Sequence, residues 1–260
     1  MIRFEGVDKS FADLSVLQAV SFNIGNGETA ALLGPSGSGK TTILRLIVGA
    51  IAPDQGGVDV PATSAGYVFQ EPRLLPWRTA RQNIALPLRA RGWHKKRSLT
   101  EADKWLVRLG LQGFENYYPS QLSGGMMQRV SIGRALAISP EVLLMDEPFS
   151  GLNMELRETL LTLVCDVIAD GKLTTLYVTH YLPEAIRIAE RVLMLNSNGE
   201  LRELSRADQA DAINAFVQSV SHGLMDADAV NFRRDKKSTT QLSDTEQKPA
   251  AERVLERMKL

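Results

Sequence analysis

Gly34-Pro35-Ser36-Gly37-Ser38-Gly39-Lys40-Thr41 is a run of residue types suited to holding a phosphate chain. It fits the pattern G-x-x-x-x-G-K-[ST] in full. It also lies between an apolar run, Glu28 to Leu33, and a segment, Thr41 to Val48, with aliphatics at helical spacing. Glycines let backbone N–H groups wrap an anion, and the start of a helix adds roughly half a positive charge facing it. Lys40 is then placed to hold β- and γ-phosphates, and the Thr41 hydroxyl to take a Mg²⁺ position. Further on, Val142-Leu143-Leu144-Met145 is an apolar run ending in Asp146 and Glu147. Asp146 suits Mg²⁺, directly or through water, and Glu147 suits a general base for an attacking water. Adjacent carboxylates are common on solvated loops; the phosphate loop is what favours chemistry here.

Positioning these groups requires strands that end in loops. Ile2 to Val7 and Val20 to Ile24 alternate as strands and close on Gly25-Asn26-Gly27, most simply as an antiparallel layer. Compact apolar runs at Val142 to Met145, Thr174 to Val178 and Val192 to Leu195 alternate with helical patterns at Met154 to Ala169 and Pro183 to Ala189. That alternation predicts a parallel sheet with helices on its faces. From about Arg73 to Ser139 the pattern reads differently and is best explained by a helical insertion between two halves of an α/β core. Within it, Thr100-Glu101-Ala102-Asp103 reads as a capping box, followed by Ala102, Trp105, Leu106 and Leu109 on one face and Gly110 as a stop.

Leu122-Ser123-Gly124-Gly125-Met126, followed by Met127-Gln128-Arg129, reads as a hydroxyl and two glycines opening a helix, hence a second anion-ready helix start. With LLMDEP downstream and the phosphate loop far ahead, this arrangement resembles the ATP-binding cassette (ABC) family over residues 1–205. The resemblance implies an α/β fold: a P-loop NTPase core with an antiparallel β-subdomain and an inserted α-helical subdomain, here about 73–139. It implies a head-to-tail dimer in which ATP and Mg²⁺ are held by the loop from Gly34 to Lys40, with Thr41 and Thr42, of one copy. Ser123, Gly124 and Gly125 of the other copy complete the clamp. By the same resemblance Gln70 is the glutamine that senses Mg²⁺ and the attacking water, and His180 the switch histidine at the γ-phosphate. Phe11 is the aromatic that stacks on adenine, although Phe4 and Phe22 are nearby core candidates. Asn153 stands where the family usually has aspartate, a loss of charge that weakens hydrogen bonding across subunits.

The stretch Val68-Phe69-Gln70-Glu71-Pro72-Arg73-Leu74-Leu75-Pro76-Trp77-Arg78 is similar to importers of the nitrate, sulfonate and taurine type, a group that includes relatives handling thiamine-precursor pyrimidines. Partners implied are integral-membrane permease subunits and, indirectly, a solute-binding protein. Leu75 and Trp77 read equally as an apolar anchor for another protein's helix or as packing inside the insertion. Rival readings are an ABC ATPase of DNA repair or translation, whose usual tandem cassettes, coiled coils or zinc insertions are missing, and a weakly catalytic regulatory cassette, motivated by Asn153.

Composition narrows the classes further. In 260 residues, 30 Lys+Arg balance 30 Asp+Glu, so no global charge draws the chain to nucleic acid or anionic lipid. The single cysteine, Cys165, reads as a buried structural thiol. No run approaches the roughly 18 to 20 apolar residues of a membrane span, and the charged N-terminus has no secretory core. The chain is therefore expected to stay in the cytoplasm, and the resemblance implies a peripheral place at the cytoplasmic face of the inner membrane. Residues 206–232 read as a helical extension and 233–260 as a charged, solvated tail.

Overall fold

The computed structural model describes residues 1–205; the helical extension and charged tail expected beyond them lie outside the described residues. Two sheets form the scaffold. The first, of three strands, has β1 (Ile2–Phe11) between β2 (Leu14–Ile24) and β4 (Gln55–Asp59), all antiparallel. Both N-terminal strands run longer than their apolar alternation predicts. β4 carries two glycines and little apolar alternation in Gln55-Gly56-Gly57-Val58-Asp59, so no strand pattern marks it. The glycine is needed there for close approach: a Cβ on Gly56, at φ +78°, would sit 2.3 Å from the Gly6 carbonyl oxygen of β1.

The second sheet has the order β5 (Ala65–Val68), β6 (Val142–Asp146), β7 (Thr174–Thr179), β3 (Thr29–Leu33), β8 (Arg191–Leu195) and β9 (Leu201–Glu203). It is parallel except for β9. Its central strands are buried on both faces, which is why they read as unbroken apolar runs. In β6, Val142 and Leu144 pack with α1 (Lys40–Ile47) and the antiparallel sheet, while Leu143 and Met145 pack with the opposite helical layer.

Between β5 and β6 the chain makes α2 (Ala80–Ala90), α3 (Lys95–Arg108), a 3₁₀ turn and α4 (Gly124–Leu136); α5 (Met154–Gly171) and α6 (Leu182–Ile188) follow β6 and β7. The expected capping box at Thr100 is overturned. α3 starts at Lys95 with His94 as its cap, and the Thr100 hydroxyl donates to the Lys96 carbonyl oxygen inside the helix. The first turn, Lys95-Lys96-Arg97, has no apolar residue to reveal it. A capping box does exist at Thr79 and Gln82, at the start of α2. Gly110 ends α3 with φ +64°, as expected.

Candidate functional site

Four loops leave the carboxyl ends of adjacent parallel strands: 34–39 after β3, 69–70 after β5, 147 after β6 and 180 after β7. Ligand sites of parallel sheets form at this end. A cleft of about 310 Å³ is lined by Phe11, Ser36, Gly37, Gly39, Lys40, Thr41, Thr42, Gln70 and Glu147, with Val16 beside them. Gly34 and Ser38 belong to the same loop but are buried behind it, and Pro35 is held through its carbonyl. Gly39 takes φ +104° as the cap of α1, and a Cβ there would lie 2.8 Å from Val16 Cγ1. No side chain caps α1, so its first-turn N–H groups are left for an anion.

Lys40 is buried, and its Nζ donates to the Gly34 and Pro35 carbonyl oxygens at 2.8 and 3.0 Å. Nζ also lies 3.4 Å from Glu147 Oε1. The other Glu147 oxygen, Oε2, is 3.0 Å from His180 Nδ1. That bond, helped by Lys40, holds the Glu147 carboxyl below its usual range despite burial, and it pushes the His180 imidazole up. Glu147 itself takes a left-handed φ of +43°, a strained conformation for a non-glycine residue of the kind that collects at functional sites.

Thr41 Oγ1 donates to Asp146 Oδ2 at 3.0 Å, and the Tyr67 hydroxyl approaches the same oxygen at 3.4 Å. Burial is the main cause that raises Asp146, and the Thr41 bond opposes it. Thr41, Asp146 and Gln70 therefore offer a hydroxyl, one carboxylate and an amide oxygen. Such a hard-oxygen set with a single carboxylate fits Mg²⁺, which takes its remaining ligands from substrate phosphates and water. The phosphate loop fits its anion as well. The Ser38 hydroxyl is buried there and has no hydrogen-bond partner among the described residues.

Ser123, Gly124 and Gly125 stand apart from this cleft. Ser123 caps α4 by accepting from Met126 N–H at 3.3 Å, and it is exposed together with Gly124. Gly125 is small for a packing reason, since a Cβ would sit 2.9 Å from Leu156 Cδ2. Asn153 caps α5, its Oδ1 accepting from Leu156 N–H at 2.9 Å, a task that aspartate would perform equally. Trp77 is 68% exposed, so it does not pack inside the helical insertion; Leu75 is half-buried. Cys165 is half-buried against the helical-side core, and burial pushes its thiol up.

Sequence reasoning missed three groups. Tyr67 reads only as a strand residue. Gln128, in the run after the serine-glycine pair, is buried and donates to the Phe69 and Pro148 carbonyl oxygens at 3.3 and 2.7 Å, tying α4 to the loops after β5 and β6. Arg134, on the same helix, donates to the Pro72 and Arg73 carbonyl oxygens, both at 2.8 Å. Such partners are distant in sequence and carry no local signal.

Residues 17–150 match the family described as ABC transporter. The taurine import ATP-binding protein TauB of Yersinia pestis is 39% identical over 203 residues, covering 75% of this chain and 80% of that protein. The sulfate/thiosulfate import ATP-binding protein CysA of Synechocystis sp. is 38% identical over 218 residues, covering 80% of this chain; the chain spans 61% of that relative's length. Among solved structures, the dimeric structure of MJ0796, a bacterial ABC transporter cassette, superposes with a TM-score of 0.74 at 32% identity, covering 79% of this chain and 98% of that one. The same cassette is known in a post-hydrolysis state bound to ADP and Pi.

Proposed function

The chain belongs to the ABC transporter family, and from that premise we propose that it is the ATP-hydrolysing subunit of a membrane importer, working as a head-to-tail pair of copies. The observation that supports this most is the meeting of Lys40, Glu147 and His180 within 3.4 Å contacts beside the Thr41–Asp146 pair. Lys40 exchanges its carbonyl partners for phosphate oxygens, and the phosphate-loop N–H groups take the rest of that charge. Turning Lys40 away from Glu147 removes one of the cations that hold this carboxylate acidic, so the base strengthens as the substrate is seated. Glu147 then accepts the proton of the attacking water, while His180 orients the base through Nδ1 and keeps Nε2 for the phosphate side. Mg²⁺, when bound at Thr41, Gln70 and Asp146, supplies charge neutralisation between the phosphates. Phe11, 43% exposed at the mouth of the cleft, offers its ring to the base.

Ser123 and Gly124 are exposed and Gly125 half-buried at a helix start that does not line their own chain's cleft, which supports their reaching the triphosphate held by a second copy. The segment from Gln70 to Trp77, braced by Arg134 and by Asn83, would dock the permease. Among the described residues no helix is long and apolar enough to cross a membrane, which accords with a peripheral subunit at the cytoplasmic face. The names of the relatives, importers of sulfate/thiosulfate, taurine and aliphatic sulfonates, support a small solute with taurine or another sulfonate, or sulfate, first among the candidates; nitrate or a thiamine-precursor pyrimidine are alternatives that rest on the resemblance of the Gln70 stretch alone. A solute-binding protein would deliver it.

Replacing Glu147 tests the reading. Glu147→Gln keeps the cradle, so nucleotide affinity stays within about twofold while hydrolysis falls at least 10²-fold, the usual worth of a general base. The bound nucleotide then drives a dimer visible by light scattering. Undiminished turnover removes Glu147 from its role, and a protein that stays monomeric removes the shared site.

A further inference from the structure

The switch histidine is held by a polar cluster that none of the motifs includes. Glu184, only 5% exposed, lies in α6 beneath the end of β7. Its Oε2 accepts from the Tyr177 hydroxyl at 2.7 Å and from Thr179 Oγ1 at 3.0 Å, and its Oε1 lies 3.5 Å from Arg157 Nε. Thr179 Oγ1 in turn accepts from the Tyr181 N–H at 3.0 Å. Thr179 and Tyr181 flank His180, so one carboxylate fixes the backbone on both sides of the imidazole. Arg157 extends the line: its guanidinium stands 5.3 Å from the Tyr181 ring, and Nη2 donates to the Leu152 carbonyl oxygen at 3.5 Å, next to Asn153.

Burying a carboxylate is costly unless it is paired and hydrogen-bonded, and an apolar residue of similar shape would serve packing at least as well. What an apolar residue could not do is order Thr179 Oγ1 as a donor to one side and an acceptor to the other. We propose that Glu184 is the positioning residue for His180, acting through Thr179 and joined by Arg157 to the loop at Leu152. It touches no reacting atom. Its effect is to keep Nδ1 within bonding distance of Glu147, and it rests on the hydrolytic reading of the site given above.

Removing Glu184 outright could unfold α6, so the test is made at Thr179 in the full chain. Thr179→Val deletes the hydroxyl and keeps the shape. Single-turnover hydrolysis is expected to fall about 10-fold, since small misplacements of a positioned group cost up to about 10²-fold, while nucleotide affinity stays within about twofold. Thr179→Ser, which restores the hydroxyl, is expected to hydrolyse like the parent. In a His180→Ala background Thr179→Val should add nothing, because the group it positions is gone. Equal losses with and without the imidazole, or full hydrolysis in Thr179→Val, overturn the proposal. Full hydrolysis in His180→Ala alone overturns the reading beneath it, and the proposal with it.

Discussion

At the scale of the residue, the site is a set of charges that satisfy one another. Lys40 is held by two carbonyl oxygens and Glu147, and on the proposed function its removal would leave the phosphate chain without its main counter-charge. Lys40→Ala should weaken nucleotide binding about 10- to 100-fold in an equilibrium titration, the scale of one lost charge-assisted bond. The Glu147–His180 pair makes a sharper prediction. Glu147 is depressed below 4.5, so its contribution to stability is present above that value and is lost as pH falls through its folded pKa. His180 is raised above 6.5, so its contribution is complete below 6.5 and is lost as pH rises through its folded pKa. The pair is therefore intact between the two folded values. An NMR titration of His180 should show its midpoint above 6.5, falling back when Glu147 is replaced by Gln; an unmoved midpoint excludes the pairing.

At the scale of the element, small residues decide which surfaces meet. A Cβ on Gly66 of β5 would sit 2.6 Å from the Ala135 carbonyl oxygen of α4. Helix and strand are in direct backbone contact there. Gly66→Ala should push α4 outward at a cost of about 1–3 kcal/mol, seen as a drop in Tm of about 2–10 °C. Because Gln128 and Arg134 on α4 hold Phe69, Pro72 and Arg73, the same shift should slow hydrolysis more than it weakens binding. A variant of parental stability and turnover would show that α4 does not brace the cleft. The misread start of α3 belongs to this scale too. A cap on a wholly polar first turn leaves no trace in apolar periodicity, whereas the glycine stop at Gly110 is a backbone requirement visible as a residue type.

At the scale of the whole molecule, the proposed function has the chain present half of each of two sites. The phosphate loop opens into one cleft, and the serine-glycine helix start is not among the residues that line it. Ser123→Arg should leave nucleotide affinity of the separate chain within about twofold, because Ser123 does not line its own cleft. It should also abolish the nucleotide-driven dimer and cut hydrolysis with it. Loss of affinity in the monomer would instead place Ser123 in its own chain's site. Exposed Trp77 belongs at this scale as well: none of the described residues covers it, which suits a surface completed by another subunit.

Local chemistry is written locally, so the chain of residue types by itself determined the phosphate loop, the two carboxylates at the end of β6 and the strand-helix alternation. A glycine that must turn left-handed, a lysine that must meet phosphate and a strand buried on both faces each show as a short pattern. Only the tertiary structure decided that Glu147 lies between Lys40 and His180, that Tyr67 shares an oxygen with Thr41, and that a buried Glu184 accepts from Tyr177 and Thr179 at the strand end beside the histidine. Those pairings join residues from different strands and helices, and the folded sheet order brings them together.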